Sequence, residues 1–97
     1  MPLRFEWDEP KNVENQRKHG VSFEEATSVF SDDHALLIDD PEHSRKEDRF
    51  VLVGLSFSLR ALVVCHCYRR SNEVIRIISA RKATQSERRI YDSRWKP

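Results

Sequence analysis

The chain has 97 residues, 38% of them hydrophobic and 34% charged, which suits one small domain near the lower size limit for a single core. Its net charge of +1 hides an asymmetry: residues 1 to 68 hold 8 Lys and Arg against 13 Asp and Glu, and residues 69 to 97 hold 9 against 3. Apolar runs such as Ala61 to Cys65 are far shorter than the roughly 20 residues a bilayer-spanning helix needs, so no membrane-spanning helix is expected.

The opening MPLRFEWDEP carries acids where a secretory leader has its apolar region, which predicts a cytoplasmic protein. Leu3 to Trp7 is the first predicted strand. Asp8 is placed to cap a helix with Glu9 and Pro10 in its first turn, running through KNVENQRKH to a stop at Gly20. Lys18 and His19 sit where the helix dipole favours cations. Ser22 opens a second helix, with Glu25 at capping-box spacing and Phe23, Ala26 and Phe30 close to one face, so the two helices form a hairpin.

Strand signals follow. Ala35 to Ile38 is a brief apolar run, and DDPEHSRKED (Asp39 to Asp48) is a polar connection with His43, Lys46 and Glu47 in it. Phe50 to Ser56, Arg60 to Tyr68 and Val74 to Arg81 are three longer strands separated by turns of hairpin length, a meander. Thr84 and Glu87 repeat the capping-box spacing and open a last helix that runs to about Trp95. Trp7 and Trp95 read as packing anchors. The fold class is α+β: a short N-terminal strand, a helical hairpin, an antiparallel sheet of about four strands and a C-terminal helix, forming a single domain over residues 1–97. The helices are expected on one sheet face, leaving the other free.

Alternation sorts the side chains. Arg60, Leu62, Val64, His66 and Tyr68 share one face of their strand, and Ala61, Val63, Cys65, Cys67 and Arg69 share the other. With Val63, Cys65, Ile75 and Ile77 toward the helices, His66, Tyr68, Arg60 and Arg76 fall on the open face, with Arg81 at a strand end. A bulge would exchange the faces. Such a face suits an anion, because guanidinium forks match phosphate oxygens. Tyr68 offers a ring on which a base can stack, and His66 has an unperturbed pKa of about 6.5, near neutrality. Cys65 and Cys67 are placed on one face of a strand, badly disposed for a disulfide with each other, and His66 points away from both, so no metal site is expected. No cofactor is expected, since Gly20 and Gly54 are the two glycines and form no phosphate loop.

Three segments, FEWDEPKNVENQRKHGVSFEEATSVF, RFVLVGLSFSLRALVV and IRIISARKATQSERRIY, resemble the BrnT-type toxin family in order and spacing over almost the whole chain. The resemblance implies a RelE-like fold and a ribonuclease toxin that arrests translation. It also implies a cognate ribbon-helix-helix antitoxin (BrnA-like) from the adjacent gene, a toxin–antitoxin heterotetramer, and contact with operator DNA through the antitoxin. Lys18, His19, Gly20 and Phe23 match the family's KHGVSF signature. Arg60, Arg76, Ser79, Arg81, Glu87, Arg88 and Tyr91 match its polar positions near the cleft, whereas His66 and Tyr68 fall where the family varies more.

The chemistry expected is metal-independent: the RNA 2′-hydroxyl attacks the adjacent phosphate. Arg76 and Arg81 are the candidates to hold the scissile phosphate. His66 is the conventional acid or base, with Glu47 or Tyr91 in its place otherwise. Arg60, Arg69, Lys46, Tyr68 and Arg88 are the candidate RNA contacts. The alternative reading is a non-catalytic module or co-repressor acting only in an antitoxin–DNA complex.

Overall fold

The computed structural model describes residues 3–39, 49–71 and 73–94. In chain order the elements are β1 (Arg4–Glu6), α1 (Glu9–His19), α2 (Phe23–Ser28) with a 3-10 turn over Val29–Ser31, β2 (Leu36–Asp39), β3 (Phe50–Leu55), β4 (Ala61–Arg69), β5 (Val74–Lys82) and α3 (Gln85–Asp92). The sheet order is β1-β5-β4-β3-β2. Strands β2 to β5 form the expected antiparallel meander, and β1 joins as a fifth strand parallel to β5, with Glu6 beside Arg76.

Local chemistry sets most of these boundaries. Gly20 is left-handed (φ 68°) and returns its N–H to the Gln16 carbonyl at 2.8 Å, closing α1. The Ser22 hydroxyl accepts the Glu25 N–H, and Thr84 and Glu87 satisfy each other's backbone at the start of α3. Glu25 does not complete the reciprocal half of its box, because its carboxylate is held elsewhere by Arg60, Ser56 and Ser58. Helix α3 ends at Asp92, short of the expected limit, and Trp95 lies outside the described residues.

Helix α1 docks by amides rather than by an apolar stripe. Its one aliphatic side chain, Val13, is exposed, while Asn12 and Asn15 are buried. Asn15 donates to the carbonyls of Val21 and Ala80 and accepts the Ala80 N–H. Strand β1 pairs only with residues 74–76 of β5, and the Asn15 amide satisfies the same edge of β5 farther along, as a neighbouring strand would. Asn12 accepts the Phe23 N–H and fixes the turn between the helices.

The main core lies between these helices and the sheet: Val21, Phe23, Ala26 and Val29 pack on Leu52, Leu62, Val64, Ile75, Ile77 and Ala80. Gly54 is needed there, since a Cβ would come within 3.0 Å of Val29, Asp32 and Ala35. A smaller cluster joins Val53, Val63 and Tyr91 on the opposite sheet face. Helix α3 therefore covers part of the face expected to be free.

Two further expectations are corrected by the register. In β4 it is Leu62, Val64 and His66 that face the main core, and Val63, Cys65 and Cys67 that face away. In β5 the pairing shifts by one residue between His66 opposite Ile77 and Cys65 opposite Ser79, which makes Ile78 a bulge. Ile75 and Ile77 point to the helices as expected, but beyond the bulge Ala80 points there too. Arg76, Ser79 and Arg81 consequently share the outer face, an arrangement strict alternation forbids.

Candidate functional site

The outer face divides into two parts. Tyr91 and α3 cover the β3 and β4 side, and the β1, β5 and β4 side is open and basic. On the open side Glu6 from β1, Arg76 from β5 and Arg69 from β4 converge: Arg76 Nη1 donates to Glu6 Oε2 at 2.9 Å, and Arg69 Nε lies 3.8 Å from the same oxygen. All three side chains are partly exposed. Glu6 and Arg69 border a shallow groove of about 470 Å³, which Cys67, Tyr68 and Arg70 also line. Arg70 and Ser71, at the turn beside it, both have positive φ, an uncommon state for residues other than glycine.

Arg81 lies farther along the same face, opposite Val63. Its two terminal nitrogens donate to the two oxygens of Glu87, each at 2.8 Å, and Glu87 also receives the Thr84 N–H. The Arg81 guanidinium holds the Glu87 carboxyl down to about 2. Arg81 is five positions along the strand from Arg76, roughly 16 Å of backbone. Each is fastened to a different carboxylate, so the expectation that both grip one phosphate is replaced by two separate cationic positions.

Other expected site residues are placed elsewhere. His66 is fully buried on the helix side, ringed by Phe30, Phe50 and Tyr68, with Nδ1 3.2 Å from the Val64 carbonyl. Burial pushes its pKa below the ordinary histidine value, and Nε2 has no hydrogen-bond partner among the described residues. It does not reach the outer face. Tyr91 is 1% exposed and donates to Asp32 at 2.6 Å, tying α3 to the segment before β2.

Arg60 is also on the helix side. It forms a two-pronged pair with Glu25 and donates to the Gly20 carbonyl, and the Glu25 carboxyl is lowered to about 2, chiefly by Arg60. Arg60 is thus a strut between the β3–β4 turn and the helices, not an open-face cation. Tyr68 borders the groove, though its ring stacks edge-on with Phe50 and His66. Arg88 is on the exposed side of α3, paired with Asp92 at 3.1 Å. Lys46 and Glu47 lie outside the described residues.

The structure brings together Arg69 and Arg76, adds Ser79 and Arg81 on the same face, and supplies a carboxylate the sequence reading missed, Glu6. The period-two pattern of Arg4–Phe5–Glu6 places Phe5 inward against Phe30, which leaves Glu6 outward. That much was available from sequence, but the parallel pairing that sets it beside Arg76 was not. Among the described residues no group of three or more His, Cys, Asp or Glu side chains is placed to hold a metal ion, and no helix is long and apolar enough to cross a membrane.

A mixed sheet with a helical hairpin on one face, a single helix on part of the other and a basic groove beside it defines a small α+β protein suited to a polyanion. The comparisons with known proteins make this specific. The family model for the ribonuclease toxin BrnT of type II toxin–antitoxin systems matches residues 7–87, and the chain belongs to that family. The 1.1 Å crystal structure of the Brucella abortus ribonuclease toxin BrnT is similar at a TM-score of 0.66 and 28% identity, covering 87% of this chain and 100% of that one. No curated protein matches.

Proposed function

We propose that this chain is an endoribonuclease toxin that cleaves RNA without a metal ion, inhibits translation and is neutralised by a cognate ribbon-helix-helix antitoxin. The observation that carries the reading is the placement of Arg69, Arg76 and Arg81 on one sheet face, through the Ile78 bulge, in a member of a ribonuclease toxin family. Guanidinium groups stay charged at all relevant pH and are held in place before substrate arrives, as stabilisation of a charged phosphorane requires. Membership in a type II system implies an antitoxin partner. A heterotetramer bound to operator DNA through the antitoxin is the assembly this reading expects.

The direct test is cleavage of an unstructured RNA by the purified protein in EDTA, together with induction in cells lacking the neighbouring gene product. Fragments ending in 2′,3′-cyclic phosphate and arrested growth support the reading. Intact RNA in both settings overturns it and leaves a module that only binds.

A further inference from the structure

We infer that Glu6 is the proton acceptor for the attacking 2′-hydroxyl. This rests on the ribonuclease reading and adds to it the group that starts the reaction. Cleavage at the groove needs a base accessible to solvent, close to the cations that hold phosphate. Three carboxylates elsewhere in the fold are committed: Glu25 to Arg60, Ser56 and Ser58; Asp32 to Tyr91 and the backbone of Leu55 and His34; Glu87 to Arg81 and Thr84. The imidazole of His66 is sealed in the core. Of the described residues lining the groove, Glu6 is the one carboxylate.

Its position fits the task. Oε2 faces Arg76 and Arg69, and the side chain remains about one-third exposed at the groove. A phosphate arriving between the two arginines replaces part of their pairing with Glu6 and sets the neighbouring ribose beside the carboxylate. Glu6 then accepts the proton of the 2′-OH as O2′ bonds to phosphorus. The bond from phosphorus to O5′ breaks, O5′ takes a proton from water in the open groove, the hydroxide left takes back the proton held by Glu6, and a 2′,3′-cyclic phosphate remains. Arg76 and Arg69 carry the growing charge on the non-bridging oxygens.

The test compares wild type with Glu6→Gln, Glu6→Asp and Glu6→Ala in single-turnover cleavage across pH, and measures binding of an RNA carrying 2′-deoxy at the cleaved position. The Glu6→Gln rate is expected to fall about 100-fold or more, with affinity for the deoxy RNA within threefold of wild type. Glu6→Asp keeps the acidic limb of the pH profile and Glu6→Gln loses it. Formate added to Glu6→Ala restores part of the rate, which a purely structural ion pair does not allow. Equal rates in wild type and Glu6→Gln, or a rate loss matched by an equal loss of binding without formate rescue, overturns the role of Glu6 alone. A wild type that leaves RNA intact overturns the ribonuclease reading itself.

Discussion

Arg81 and Glu87 meet end to end, both guanidinium nitrogens 2.8 Å from the two carboxylate oxygens, and so lock the last strand to the last helix. Glu25 and Arg60 make the equivalent join on the opposite face. Both carboxyls are held down to about 2, in each case chiefly by the arginine. A carboxyl depressed on folding stabilises the fold above its unfolded pKa, and that contribution is lost as pH falls toward the folded value. Stability is therefore expected to hold above about pH 4.5 and to decline steadily from there toward pH 2. Urea midpoints over that range check it. Glu25→Gln together with Glu87→Gln is expected to lower stability at neutral pH and to flatten the acid decline.

His66 makes a second pH prediction of opposite chemistry. Its pKa is lowered by burial, so the unfolded chain binds more protons below about pH 6.5. Stability drops as pH falls below that value and stops dropping once the folded ring itself protonates. His66→Phe, which keeps an aromatic ring among Phe30, Phe50 and Tyr68, is expected to remove this slope in thermal melts while cleavage stays near wild type. Loss of cleavage by a folded His66→Phe protein would return the imidazole to the chemistry.

Asn15 carries a stability prediction. Truncation to Ala leaves the Val21 carbonyl and both backbone groups of Ala80 without their side-chain partner. The expected loss is about 1–3 kcal/mol, the range for a buried polar group left unpaired, read from chemical denaturation. Val13→Ala, on the exposed side of the same helix, is expected to change little.

The sequence carried the local chemistry well. Gly20, Ser22 and Thr84 end or start helices where their side chains or backbone demand it, and the four-strand meander follows from turn spacing and alternation. The sidedness of β4 was not legible for a physical reason. This central strand is covered by the helical hairpin on one face and by Tyr91 on the other, so both of its side-chain sets are apolar and periodicity cannot say which looks where. His66 was misplaced by that ambiguity. The Ile78 bulge has no residue signature in VIRIISARK, yet it decides that Arg81 joins Arg76. Glu6 was overlooked because three residues of strand do not announce a parallel partner some 70 positions away.

On the proposed reading, the open β1, β5 and β4 face binds the RNA backbone. Its most direct measurement is the salt dependence of binding to a 2′-deoxy-blocked RNA for wild type, Arg69→Ala/Arg76→Ala and Arg17→Ala, the last altering an exposed arginine of α1. Each lost phosphate contact on a single strand reduces the log–log slope by about 0.7, so the double variant is expected to lose about 1.4 and Arg17→Ala essentially nothing. A double variant with the wild-type slope, or an equal loss from Arg17→Ala, would place the RNA backbone elsewhere.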